Sequence, residues 1–159
     1  MIQFNIPTNF PTTKKYILDV VNGKTYGDFG KYYNLCLDFL ESFTGAKKII
    51  LTHSATAALE LAFQLLASPK STALVPTYTF SSTANAALKN NLKVSWIDVN
   101  EDDLCSNIQA FNKSSIKNKI YVPVHYGSSS CDMTSLDFSS PVIEDAAQSL
   151  GVFHKNKHV

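Results

Sequence analysis

Residues 73–99 read ALVPTYTFSSTANAALKNNLKVSWIDV. The stretch opens on a short, continuous apolar run at 73–76, the kind that forms a strand covered on both faces. Hydroxyl-bearing and aromatic residues follow at 77–80. From 81 to 90 the spacing becomes helical, with Ala84, Ala87 and Leu88 on one face. A second run, 94–99, rich in β-branched and aromatic residues, predicts another strand. Strand, helix and strand in this order indicate an α/β sheet, largely parallel.

The alternation continues in both directions. Upstream, 48–51 (KIIL) predicts a short strand, and the Ala- and Leu-rich stretch 55–67 predicts a helix. Downstream, 120–124 (IYVPV) and 141–143 (PVI) predict two more strands, the last running straight into Glu144-Asp145. Residues 31–43 carry Leu35, Phe39, Leu40 and Phe43 at helical spacing, and Gly45 is a natural stop. Before them, 23–30 (GKTYGDFG) is a turn-rich loop. The first stretch, to about residue 22, reads as an extended arm leading into a short helix. Residues 107–119 are polar and read as a solvated connection. The end, 154–159, looks like a turn leading into a further element, and no final helix closes the sheet. The expected fold is therefore an incomplete, mainly parallel α/β sheet.

Composition narrows the classes. The chain has 159 residues, 45% hydrophobic and 17% charged, which suits one globular domain and not a disordered segment. A net charge of +1 provides no broad basic face, so nucleic acid is not an expected partner. The first residues, MIQFNIPTNF, lack the features of a signal peptide, and no apolar stretch is long enough to cross a bilayer. A cytoplasmic protein is expected. Cys36, Cys105 and Cys131 are odd in number and widely spaced, which argues against a disulfide framework and against a zinc site.

Three places at the ends of expected strands could carry chemistry, since open α/β sheets bind ligands there. At Ser54-Ala55-Thr56-Ala57 small residues precede a helix, whose free N–H groups suit a phosphate. The same residues also fit an ordinary Ser/Thr helix cap. At Thr77 to Phe80 an aromatic side chain could lie on a planar ring, or simply join the core. At Glu144-Asp145 two acids at a buried strand end call for a cationic partner, such as a pyridinium nitrogen. A helix cap or a metal-binding acid pair are the alternatives, and no His/Cys/Asp cluster supports a metal. Gln148 lies three residues on and could reach a ring hydroxyl.

Together these motifs resemble the DegT-type sugar aminotransferases, which depend on pyridoxal 5'-phosphate (PLP) and have the aspartate-aminotransferase fold. The resemblance rests on Ser54-Ala55-Thr56-Ala57-Ala58-Leu59, on 76–85 (PTYTFSSTAN), on Pro123-Val124-His125-Tyr126-Gly127 and on Val142-Ile143-Glu144-Asp145-Ala146-Ala147-Gln148. Phe4-Asn5 and Tyr26-Gly27-Asp28 fit the family's arm and loop. The resemblance implies an arm, short helix and loop at 1–30 and part of a PLP-binding large domain at 31–159. It implies that Thr56 and Ala57 bind the phosphate, that Phe80 stacks on the pyridine ring, that Asp145 pairs with the ring nitrogen and that Gln148 faces the ring O3′. Amino transfer from glutamate to a keto sugar nucleotide is the implied reaction. The chain looks closest to enzymes that aminate C4 of dTDP-4-keto-6-deoxyhexoses. A homodimer is implied as well.

Two departures accompany the resemblance. The family's Schiff-base lysine lies well beyond the Glu-Asp-Ala-Ala-Gln motif, in a Ser-Phe-His…Lys-Asn context, past Val159. Lys155 and Lys157 align with a surface turn and do not replace it. Residues 133–141 are shorter than in many members, so a truncated helix or a loop is expected there. A catalytically dead remnant, or a non-catalytic interaction protein on the same half fold, is the rival reading. A nucleotide-binding enzyme of other chemistry would want a G-x-G-x-x-G loop after the first strand, and the chain has none.

Overall fold

The computed structural model describes residues 10–24, 26 and 29–159. The arm residues Phe4-Asn5 and the loop residues Gly27 and Asp28 lie outside that set. Two helices come first, α1 (Pro11–Gly23) and α2 (Lys31–Thr44). Pro11 sits in the first turn of α1, where its missing N–H costs nothing. Gly45 ends α2 in the left-handed region at φ 72°, and its N–H caps the Glu41 carbonyl. Neither helix buries a described residue. They are joined through Asp19, which accepts from Tyr32 Oη at 2.7 Å and from Lys31 Nζ at 3.0 Å. Those two donors, the tyrosine foremost, hold the Asp19 carboxyl below its usual range.

The α/β unit follows in order: α3 (Ala55–Leu66), β1 (Thr72–Pro76), α4 (Ser81–Lys89), β2 (Lys93–Ile97), α5 (Ile108–Lys113) and β3 (Lys119–Tyr121). The sheet has the order β2-β1-β3 and is parallel throughout. The chain direction along the sheet therefore reverses beside β1, and a crevice opens at the strands' carboxyl ends. Phe63, Ala73, Val75, Ala87 and Val122 form the core between the sheet and helices α3 and α4. Leu74, Phe111, Tyr121 and Cys131 fill the opposite face.

The expected strand at 141–143 is a real neighbour of β3, but its ladder is broken. Tyr121 N–H donates to the Pro141 carbonyl, and Ile143 N–H to the Tyr121 carbonyl. Farther along, Asp145 N–H donates to Pro123 and His125 N–H to Asp145. The missing rung is the one Pro123 cannot donate, so only isolated bridges at Val142 and Asp145 remain. Pro76 does the same on the other flank. Val122 N–H donates to the Leu74 carbonyl, and the next donor in register on β1 would be Pro76. The β1–β3 ladder thus stops at Pro76, and the ladder beside it skips one rung at Pro123 and resumes at Asp145.

Two expectations fail. Residues 48–51 form no strand, because no described residue pairs with them; Ile50 is 67% exposed. Residues 107–119 are not simply solvated. Asn107 caps α5 by accepting from the Ala110 N–H, and Ile108 and Phe111 are buried against the sheet. At 133–141 a single 3-10 turn, Met133–Ser135, stands where a truncated helix or loop was expected. The last residues form a hairpin, β4 (Phe153–His154) with β5 (Lys157–His158), through a turn with φ 49° at Lys155 and 66° at Asn156. Two consecutive positive φ values mark the type I′ turn that suits hairpin twist.

Candidate active site

The strand ends and helix starts bring the sequence-predicted residues to one place. Thr56, Phe80, Asp145 and Gln148 line a common cavity of about 200 Å³ with Ala55, Ser82, Val124, His125, Tyr126 and Ala147. Ala57 is not among the lining residues. A larger cavity, about 430 Å³, lies between α1 and α2 around Asp19, Tyr26 and Tyr33, away from all of these residues. The smaller one is below the ~300–1,000 Å³ of most ligand pockets, so it provides one wall of a site and not a closed chamber.

At the start of α3, Ser54 is the N-cap, and its Oγ accepts from the Ala57 N–H at 3.1 Å. The ordinary cap reading is therefore correct for Ser54. The Ala58 N–H bonds to the Ser54 carbonyl. Among the described residues the Ala55 and Thr56 N–H groups have no such partner, and the helix dipole points its positive end the same way. Ser54→Ala is expected to cost about 1 kcal/mol of stability, measured by urea unfolding.

Phe80 is the N-cap of α4 and is 73% exposed. It contributes nothing to the core, so the core alternative for this residue fails. Beside it Tyr78 leans on Tyr126, with centroids 4.8 Å apart and the hydroxyls 3.3 Å apart.

Asp145 is buried. Its Oδ2 accepts from Thr83 Oγ1 at 2.7 Å and its Oδ1 from the Ala147 N–H at 3.2 Å. Gln148 Oε1 accepts from the Gly127 N–H at 3.0 Å, which turns the amide NH₂ away from that contact. Glu144 points elsewhere: its carboxylate meets His125 Nε2 at 3.0 Å.

Sequence reasoning assigned no role to His125 or Thr83. His125 is buried, and its Nδ1 accepts from the Cys131 N–H at 3.0 Å. That nitrogen carries no proton, so the neutral ring donates from Nε2 to Glu144. Ser149 Oγ in turn donates to the His125 carbonyl. The signal for His125 was its place two residues after Pro123; Thr83 gave none beyond a hydroxyl on an otherwise apolar helix face.

The thiols near the site are inert. Burial pushes Cys131 up to about 12 and Cys105 upward too. Such a thiol supports the fold below its unfolded pKa, and that support fades as pH rises toward 12. A thiol reagent at pH 8 should therefore label one cysteine, the exposed Cys36, in the folded chain, and all three after unfolding. Rapid labelling of Cys131 in the folded state would contradict its burial. Among the described residues no group of three or more His, Cys, Asp or Glu side chains could hold a metal. No helix among them is long and apolar enough to cross a membrane.

Comparison with known proteins bears on this geometry. A UDP-4-amino-4-deoxy-L-arabinose--oxoglutarate aminotransferase from Shewanella sediminis is 31% identical over 119 residues, 70% of this chain and 31% of that protein. A UDP-4-amino-4,6-dideoxy-N-acetyl-beta-L-altrosamine transaminase from Campylobacter jejuni is 31% identical over 139 residues, 82% of this chain and 37% of that one. The chain thus spans about a third of the length of the curated relatives it matches. Among solved structures, an E. coli GDP-4-keto-6-deoxy-D-mannose-3-dehydratase with bound hydrated PLP superimposes with a TM-score of 0.89 at 18% identity, over 97% of this chain and 43% of that one. That likeness speaks to the fold, which is the expected part of a PLP-enzyme large domain. The model of the DegT/DnrJ/EryC1/StrS aminotransferase family matches residues 9–159, nearly the whole sequence. The chain belongs to the DegT/DnrJ/EryC1/StrS aminotransferase family.

Proposed function

We propose that this chain supplies the cofactor-binding wall of a PLP-dependent aminotransferase acting on a keto sugar nucleotide, with glutamate as the amino donor. The observation that carries the reading is the cavity itself. An exposed aromatic face, a buried carboxylate and unpartnered helix N–H groups line one crevice. These are the three features that a flat ring with a basic nitrogen and a phosphate requires.

When bound, PLP serves as an electron sink. The chain's own residues bind and orient it. The Ala55 and Thr56 N–H groups and the Thr56 side chain hold the phosphate. Ala57, whose N–H is committed to Ser54, contributes by being small. Phe80 stacks on the ring, Asp145 holds a proton at the ring nitrogen, and Gln148 offers its NH₂ to the ring O3′. The domain division at 1–30 and 31–159 belongs to the same reading. So does a homodimer, supported by the exposed Ile17, Leu18, Val21, Leu35 and Phe39 on α1 and α2. A cytoplasmic location and a dTDP-4-keto-6-deoxyhexose substrate complete it.

The test is amino transfer from glutamate by the polypeptide at the length its gene encodes, assayed with PLP and a panel of keto sugar nucleotides. The dTDP-4-keto-6-deoxyhexose is expected to give a kcat/KM about tenfold or more above UDP-linked ketones, a margin of the size that one methyl group, such as thymine's, supplies. Absence of transfer with every ketone would sink the reading. Residues 1–159 alone carry the wall without the family's lysine. Borohydride reduction with PLP should then label lysines such as Lys155 and Lys157 sparsely. Full labelling of a single lysine, together with activity, would show a resident replacement.

A further inference from the structure

Thr83 is fully buried in the first turn of α4, three residues after Phe80. A hydroxyl in that position is costly unless it is bonded. Its Oγ1 lies 2.7 Å from Asp145 Oδ2 and 2.9 Å from Thr79 Oγ1. An ionised carboxylate only accepts, so Thr83 donates to Asp145. Its one proton is then spent, and Thr79 must be the donor to Thr83. The direction of the whole chain is fixed: Thr79 to Thr83 to Asp145.

We propose that Thr83 is a positioning residue for Asp145, backed by Thr79, and that this hydroxyl relay sets the carboxylate's rotamer and its ability to hold a proton on the cofactor's ring nitrogen. The inference rests on the PLP reading above. Two bonds pin the carboxylate, one to each oxygen, and leave further lone pairs for the cavity it lines. Hydrogen bonding to the charged form favours that form. Bonds in series polarise one another, so Thr79 strengthens the donation from Thr83. The same relay ties the start of α4, and with it the Phe80 ring, to the segment that carries Asp145. Ring plane and ring nitrogen are thus held by one connection.

The experiment uses the polypeptide at its gene-encoded length and PLP as the probe. Bound PLP is measured by equilibrium dialysis, and ring-nitrogen protonation by the nitrogen chemical shift of isotopically labelled PLP. Thr83→Val is expected to weaken PLP binding about tenfold, the usual effect of losing a bond to a charged group. Its nitrogen signal should move toward the unprotonated value. Thr83→Ser keeps the hydroxyl and should restore binding to within about twofold and return the nitrogen signal to its unaltered position. Thr79→Val, at a less buried position, should weaken binding about threefold and serves if Thr83→Val does not fold. Unchanged binding and nitrogen shift in Thr83→Val, or in Thr79→Val where that variant stands in, would overturn the relay. So would a Thr83→Ser protein weaker than Thr83→Val, because valine keeps the shape of threonine and serine keeps only its hydroxyl, so a purely packing role predicts that pattern. If the unaltered protein shows no saturable PLP binding, the cofactor reading itself falls and the relay with it.

Discussion

Replacing Asp145 with alanine, in the polypeptide at its gene-encoded length, is expected to lower kcat/KM for amino transfer by about 10³-fold. The carboxylate is the only acid of the Glu144-Asp145 pair that lines the cavity; Glu144 is engaged with His125. Its loss removes the charge that would keep a pyridine nitrogen protonated. It also leaves the buried Thr83 hydroxyl without its acceptor, at about 1–3 kcal/mol. Asp145→Asn should be nearly as damaging. An amide preserves the shape and can still bond to Thr83, but it carries no charge. The check is steady-state kinetics with glutamate as donor, alongside a melting curve. Normal turnover in either variant would remove Asp145 from its assigned role.

The largest effect on stability is expected at Phe63. This α3 side chain is 0% exposed and packs in the core with Leu59, Val75, Ala87 and Val122. Phe63→Ala removes most of a ring from a close-packed site and leaves a cavity that backbone cannot fill. A loss of about 3–5 kcal/mol is expected, a large part of the ~5–15 kcal/mol that holds a typical domain. In urea the midpoint should drop with the slope unchanged. Phe39→Ala on α2 is the contrast: at 61% exposure it should cost under about 1 kcal/mol. A similar loss at both positions would mean that α2 is covered in solution.

These two residues also show what was legible in the sequence. The helix at 55–67 that carries Phe63 and the expected strands at 73–76 and 94–99 announce themselves through Ala/Leu composition and apolar runs, though the second strand ends at Ile97. The run at 73–76 is buried on both faces, so no polar residue confuses its pattern. The run at 48–51 carries the same local signal yet stays unpaired, because a strand exists only if another strand accepts it. The helix α5 was hidden for the opposite reason: in six residues only Ile108 and Phe111 face inward, too few to show a period. At the site, Phe80, Asp145 and Gln148 were readable from their position after apolar runs. Thr83 and His125 were not, since their importance lies in bonds to residues 62 and 19 positions away. Contacts of that kind belong to the fold and leave no trace in spacing.

Pro76 matters beyond ending the β1–β3 ladder. Side chains alternate along a strand with a period of two, so sliding β1 past β3 by two residues would keep every apolar side chain facing the same layer. Hydrophobic patterning alone does not forbid such an error. Pro76 does. In the native alignment it sits just past the last bond of the β1–β3 ladder, from Val122 N–H to the Leu74 carbonyl, where no donor is required. In a strand slid inward, a ring without an N–H would face an interior carbonyl, and a rung would be lost together with a steric clash. The residue that ends this ladder thus also acts as a check on strand alignment during folding, rejecting the misregistered sheet that the core residues would accept.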